Sequence, residues 1–115
     1  MKFLMQIFQG EALEAWSRLS EEEQQGIAAD YAALNEIPGV TSGDWLAQPE
    51  AATTVRVKEG ATVTTDGPFA ETKEALGGYF MFEGDDVDAA IAVAARVPAT
   101  RFGGAVEIRP LVQYS

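Results

Sequence analysis

The sequence contains no cysteine and no histidine, and these two absences exclude whole classes of chemistry. Without cysteine, thiol nucleophiles, cysteine-based zinc sites and disulfides are ruled out. Without histidine, the usual general base near neutral pH and the commonest metal ligand are missing. Acid–base chemistry would therefore fall to Asp, Glu, Lys or Tyr. The remaining motifs suggest neither a metal site nor a cofactor.

Positive charge is also scarce. Eight Lys and Arg residues stand against eighteen Asp and Glu residues, so the net charge is -10. An acidic chain repels the phosphate backbone of nucleic acids, and the scattered basic residues form no run that would suit an anionic membrane surface. The short apolar run over residues 1–8 ends at Gly10, before a signal-peptide core could form. We expect a cytoplasmic protein that binds neither nucleic acid nor membrane.

The length and the apolar content fit one folded domain. The chain has 115 residues, of which 47% are hydrophobic, and two Trp, three Tyr and six Phe place it among globular proteins. A chain of this size can bury a core without metal or disulfide support. We expect a single domain over residues 1–115.

Two segments, residues 2–8 and 77–83, are apolar on both faces, which is typical of central strands that are covered on both sides. Weaker strands are predicted over residues 40–48 and 105–111. Two alternating runs at residues 53–65 flank a Glu-Gly turn, and this pattern predicts a β-hairpin.

Two helices are predicted between these strands. Ser20 and Glu23 have the spacing of a capping box, in which each side chain satisfies the other residue's free backbone amide. The helix that starts there has a buried stripe of Ile27, Tyr31 and Leu34. A second helix begins after residues 84–86 and ends at Pro98. Its predicted stripe consists of Val87, Ala90, Ile91, Ala94 and Val97.

The order of elements is β, α, β, an inserted hairpin, β, α, β, which predicts an α+β ferredoxin-like sandwich with both helices on one face of an antiparallel sheet. Two helices cover only one face, yet residues 2–8 and 77–83 are apolar on both. A second copy placed sheet to sheet would cover the other face. We therefore expect a homodimer whose sheets enclose a shared cavity.

Three motifs carry a resemblance to a known family: TTVRV at residues 53–57, TDGPFAETKE at residues 65–74 and VEIRP at residues 106–110. Together they resemble the DGPF branch of the YCII-related family. The resemblance implies a dimeric α+β barrel and a functional link to an alternative sigma factor. Some distant relatives are lyase-like enzymes with a His and Asp pair at the active site. The aspartate corresponds to Asp66, and the histidine has no counterpart here.

The DGPF stretch supplies the candidate catalytic residues, Asp66 and Glu71. The Asp66 carboxylate either accepts bonds from loop amides and fixes the turn, or faces a cavity where burial would raise its pKa and make it a general base. Glu71 is the second carboxylate and a candidate acid. Gly67 and Pro68 either form only a turn or bring the backbone close to a ligand.

The candidate ligand-binding residues share an aromatic ring, a positive charge or a place in this turn. They are Arg56, Gly67, Pro68, Phe69, Lys73 and Arg109. Phe69 either anchors the loop or forms a pocket wall. The two arginines lie on outward faces of strands, where they either meet solvent or hold an anionic group through their planar guanidinium.

Two functions are compatible with these residues. The first is a ligand-binding or regulatory module with a small-molecule cavity at the dimer interface, which needs no histidine. The second is a lyase or isomerase that acts on a small anionic or cyclic substrate, with Asp66 as general base and an arginine to hold the anionic group.

Overall fold

A computed structural model of the protein describes residues 1–67 and 75–113. Its strands are β1 Lys2–Phe8, β2 Val40–Trp45, β3 Thr53–Lys58, β4 Ala61–Asp66, β5 Leu76–Glu83 and β6 Ala105–Pro110. Its α-helices are α1 Ala12–Ser17, α2 Glu21–Leu34 and α3 Val87–Ala94. Short 3₁₀ turns lie at Pro49–Ala51 and Pro98–Arg101.

Four strands form one antiparallel sheet in the order β2-β5-β1-β6, and β3 pairs with β4 in a separate hairpin. This is an α+β fold with the strand order of a ferredoxin-like sandwich, as predicted. Within residues 1–67 and 75–113, no helix is both long and apolar enough to cross a bilayer.

The core lies between one face of the sheet and the helices α2 and α3. In β1, Phe3 and Met5 are completely buried and Ile7 nearly so, while the residues between them are only half-buried. Phe82 of β5 stacks against Phe3 with ring centroids 6.3 Å apart. Strand β1 was predicted to be covered on both faces. Within one chain, the helices cover only one of them.

Helix α2 begins where the capping box predicts. The Glu23 amide donates to Ser20 Oγ at 3.1 Å, and the Ser20 amide donates to Glu23 Oε1 at 3.3 Å. Ile27 and Leu34 are buried. Tyr31, from the same stripe, accepts the Ala99 amide proton at its hydroxyl at 3.2 Å, so α2 is tied to the turn that follows α3.

Three of the five residues predicted for the buried stripe of helix α3 are buried, namely Ala90, Ala94 and Val97. Val87 and Ile91 are 49% and 52% exposed, whereas Ala90 and Val93 are buried. The predicted stripe was wrong at Val87 and Ile91, and Val93, which it did not include, is buried.

Strand β2 is shorter than predicted and irregular. It ends at Trp45, and its pairing with β5 shifts register between Thr41 and Asp44. Gly43 lies in that shift, where a Cβ would collide with the Tyr79 carbonyl oxygen. The glycine therefore permits a close backbone approach that any side chain would prevent.

The hairpin β3–β4 has the predicted register but packs on little of its own chain. Glu59 and Gly60 at its tip both have positive φ, as a two-residue hairpin turn of the primed type requires. Val55 and Val57 are 59% and 68% exposed. The radius of gyration is 16.4 Å, against about 13 Å for a compact chain of this length. The hairpin accordingly projects from the body.

Candidate functional site

The turn after the hairpin is held by a threonine and by backbone groups. Gly67 has φ +100°, its amide donates to the Ala52 carbonyl at 2.7 Å, and its own carbonyl accepts the Thr54 hydroxyl at 2.8 Å. Asp66 is exposed, and none of the described residues donates a hydrogen bond to its carboxylate. One interpretation of Asp66 was that its carboxylate accepts hydrogen bonds from loop amides and so fixes the turn. No such hydrogen bond is present among the described residues.

The other predicted site residues are dispersed or lie outside the described residues. Pro68, Phe69, Glu71 and Lys73 fall in the latter group, and their roles stay predictions.

Two arginines from the predicted set are described. Arg56 is exposed on β3, and Arg109 on β6 donates its Nε–H to Glu107 at 3.3 Å. None of the three cavities found along the described residues is lined by Arg56, Asp66 or Arg109. The assignment of Asp66 as a general base stays a prediction.

A row of polar side chains crosses the sheet face that the helices leave open. Tyr79 of β5 is directly opposite Asp44 of β2 on one side and Gln6 of β1 on the other. Gln6 is in turn opposite Glu107 of β6. Since residues opposite each other in neighbouring strands share a face, these four residues form a continuous polar row, defined here as Asp44, Tyr79, Gln6 and Glu107.

Hydrogen bonds hold both ends of the polar row. The Tyr79 hydroxyl donates to Asp44 Oδ2 at 3.2 Å. This bond and the negative charge of Asp44 raise the pKa of Tyr79 above its ordinary value, so the phenol stays protonated. At the other end Glu107 accepts from Arg109. The row therefore has a carboxylate at each end, and the Arg109 guanidinium lies beside the Glu107 end.

Gln6, at the centre of the row, has an unsatisfied group. Its amide oxygen is shielded from solvent and has no hydrogen-bond partner among the described residues. Such a group costs about 1–3 kcal/mol when it is left unpaired. Half-buried apolar side chains surround it, with Leu4 and Phe8 on the same strand and Met81 on the next. The open face is thus apolar with one polar line across it.

Sequence reasoning did not identify Gln6, Asp44 or Tyr79 as site residues. One signal was available, because Gln6 is the only polar residue between Lys2 and the end of a strand that is otherwise apolar. The row itself could not be found from sequence, since it depends on the register of four strands.

A concave region lies on the helix side of the sheet. It is a cavity of about 340 Å³. Its walls include four aromatic side chains, Trp16, Tyr31, Trp45 and Phe102. Trp45 follows Asp44 in β2, and successive strand residues point to opposite faces. The aromatic cavity and the polar row are therefore on opposite sides of the sheet.

Two comparisons with known proteins each match most of the chain. The family model of the YCII-related domain matches residues 1–115. The chain is also 35% identical over 106 residues to an uncharacterized protein of Rhizobium meliloti (strain 1021), an alignment that covers 87% of this chain and 82% of that protein. The cytoplasmic location and the link to an alternative sigma factor stay predictions.

Proposed function

The chain belongs to the YCII-related domain family, and from this premise we propose that it is a ligand-binding or regulatory module that holds a small molecule between two copies of itself. The observation that carries the proposal is the Gln6 amide oxygen in the polar row of the open face, which is shielded from solvent and has no hydrogen-bond partner among the described residues. A buried polar group without a partner is rare in native structures and is commonly paired by a ligand or water.

The dimer in this proposal follows from apolar surface that the chain does not cover. Leu4, Phe8 and Met81 lie on the open face without a layer of helices above them. The hairpin adds Val55 and Val57, both well exposed. Apolar area of this kind is normally covered by a partner, and a second copy arranged about a two-fold axis would cover both regions. The two polar rows would then face a shared cavity.

The side chains of the row define the chemistry of the ligand. The Gln6 amide oxygen needs an N–H or O–H donor, and the Arg109 guanidinium is suited to a carboxylate. The carboxylates of Asp44 and Glu107 disfavour polyanions. The ligand we propose is a small monocarboxylic acid that also carries a hydroxyl or amino group.

The oligomeric state tests the first half of the proposal. Sedimentation velocity at micromolar concentration should give a dimer for the wild type and a monomer for Leu4→Glu, which places a charge on the open face. Val87→Glu is the matched control, because Val87 is exposed on α3 on the helix side. It should remain dimeric. A wild type that stays monomeric at this concentration would remove the cavity.

The second half is tested with Gln6→Leu, which replaces the amide by an apolar side chain of similar size. We expect the free protein to become more stable by about 1–3 kcal/mol, because the unpaired oxygen is gone. Thermal-shift measurements should at the same time show no stabilisation by hydroxy- or amino-carboxylic acids that stabilise the wild type. If these acids shift both proteins equally, Gln6 does not contact the ligand.

A further inference from the structure

We propose that the aromatic cavity on the helix side is a separate binding site for a neutral aromatic compound of one or two rings that carries a hydrogen-bond acceptor. The site is formed within one chain by α1, α2, the end of β2 and the turn after α3. Because it lies across the sheet from the polar row, it does not depend on the dimer or on the ligand proposed above.

The walls of the cavity favour a flat aromatic ligand. Tyr31 and Trp45 meet edge to face, with ring centroids 4.9 Å apart and an interplanar angle of 80°. This pair forms a corner in which a third ring can pack against one face and one edge, the arrangement that aromatic quadrupoles prefer. Trp16 and Phe102 line the same cavity. Trp16 and Trp45 are 39% and 53% exposed, so a ligand would cover ring surface that now meets solvent.

The polarity of the lining favours a neutral ligand. All of the lining residues belong to the described part of the chain, and none of them carries a charge. A charged ligand would lose its hydration on entering the cavity and would find no opposite charge among the lining residues. The polar groups on the lining side chains are the Gln9 amide, the Tyr31 hydroxyl and the indole N–H groups of Trp16 and Trp45.

The Tyr31 hydroxyl can donate a hydrogen bond to the ligand, so the ligand should carry an acceptor. Its oxygen accepts the Ala99 amide at 3.2 Å, and its own proton has no acceptor among the described residues. Burial raises the pKa of Tyr31, so the phenol keeps that proton at neutral pH. A ring nitrogen or a carbonyl on the ligand would complete this chain of hydrogen bonds.

The volume of the cavity limits the size of the ligand. About 340 Å³ lies near the lower end of the roughly 300–1,000 Å³ typical of small-molecule sites. Such a space accommodates one or two fused rings rather than a larger cofactor.

The test uses quinoline, which is neutral, bicyclic and carries one ring nitrogen as an acceptor, and naphthalene, which has the same shape without the acceptor. Both tryptophans of the chain line the cavity, so their two indole N–H signals in ¹H–¹⁵N spectra report directly on it. We expect both signals to shift and saturate with quinoline in the millimolar range. Tyr31→Phe should weaken quinoline binding about three- to tenfold, the value of one hydrogen bond, and leave naphthalene binding unchanged.

A blocking variant and its control complete the design. Ala28 lines the cavity from α2, whereas its exposed neighbour Ala29 does not. Ala28→Leu should abolish the quinoline shifts and Ala29→Leu should preserve them, with little cost to the helix in either case. The proposal is overturned if quinoline produces no saturable shift, or if the shift survives Ala28→Leu. Indole signals that move on dilution of the protein alone would also overturn it, since a second copy would then occupy the cavity.

Discussion

The four-stranded sheet and the hairpin β3–β4 are both antiparallel but are stabilised differently. In the sheet, Phe3 and Met5 have no exposed surface. In the hairpin, Val57 is 68% exposed and the residue opposite it, Thr62, is exposed as well. The sheet is held by burial against helices, and the hairpin is held by its backbone ladder and its turn.

This difference shows which part of the molecule is complete within one chain. A two-stranded hairpin by itself is marginal in water, and the exposed valines of β3 are the ones that a second copy would cover in the proposed dimer. The core of the sheet needs no partner. Substitutions in the two regions should therefore have unequal effects on the folding of a single chain, and the following predictions examine that inequality.

The largest effect is expected for Phe3→Ala. It removes a fully buried ring that stacks on Phe82, and we expect a loss of about 3–5 kcal/mol in the free energy of unfolding. Urea denaturation measures it. The matched substitution in the hairpin is Val57→Ala, studied in the Leu4→Glu background so that the proposed dimer cannot form, where the loss should be about 0.5 kcal/mol. Equal losses would contradict the distinction between the two regions.

An intermediate effect is expected from two glycines. Gly43→Ala would force β2 away from β5, because the new Cβ collides with the Tyr79 carbonyl, and should cost about 2–3 kcal/mol. Gly67→Ala meets no nearby atom of the described residues and is strained by its φ of +100°, so about 1–2 kcal/mol is expected. Thermal unfolding of both variants measures the two losses of stability. A larger loss for Gly67→Ala than for Gly43→Ala would contradict the prediction.

The smallest effect is expected for the pKa of Tyr79, which is hydrogen-bonded to Asp44 of the edge strand β2. Asp44→Asn should lower the pKa of Tyr79, since the accepting carboxylate and its charge hold that pKa above its ordinary value of 10.0. ¹³C spectra of the tyrosine ring carbons over alkaline pH measure the change. Tyr31 is the internal control, because its raised pKa comes mainly from burial.

The same hydrogen bond has a consequence for stability, whose sign follows from the direction of the shift. A pKa raised in the folded state favours folding at pH values below the ordinary value and loses that contribution as pH rises through the folded value. The Asp44→Asn variant should therefore lose less stability than the wild type in the alkaline range. Because Tyr79 is exposed, the difference should be small.

Part of the fold could be predicted because its causes are local. The capping box of Ser20 and Glu23 joins residues three apart, and the Glu59-Gly60 turn sets the register of the strands beside it. Arg109 is exposed on the outward face of β6, as predicted, while Val106 and Ile108 pack against the core. These features depend on neighbours in sequence, so the residues alone determine them.

The candidate sites could not be predicted, because their parts are distant in sequence. The Tyr79 hydroxyl meets Asp44 across 35 positions, and Gln6 joins Glu107 only through the pairing of the first and last strands. Helix α3 likewise buries Val93 and exposes Val87 for reasons that lie in its packing. The residue types and local spacing determined the helices, the strands and the hairpin turn. Strand register and helix packing, which are tertiary, decided which side chains share a face.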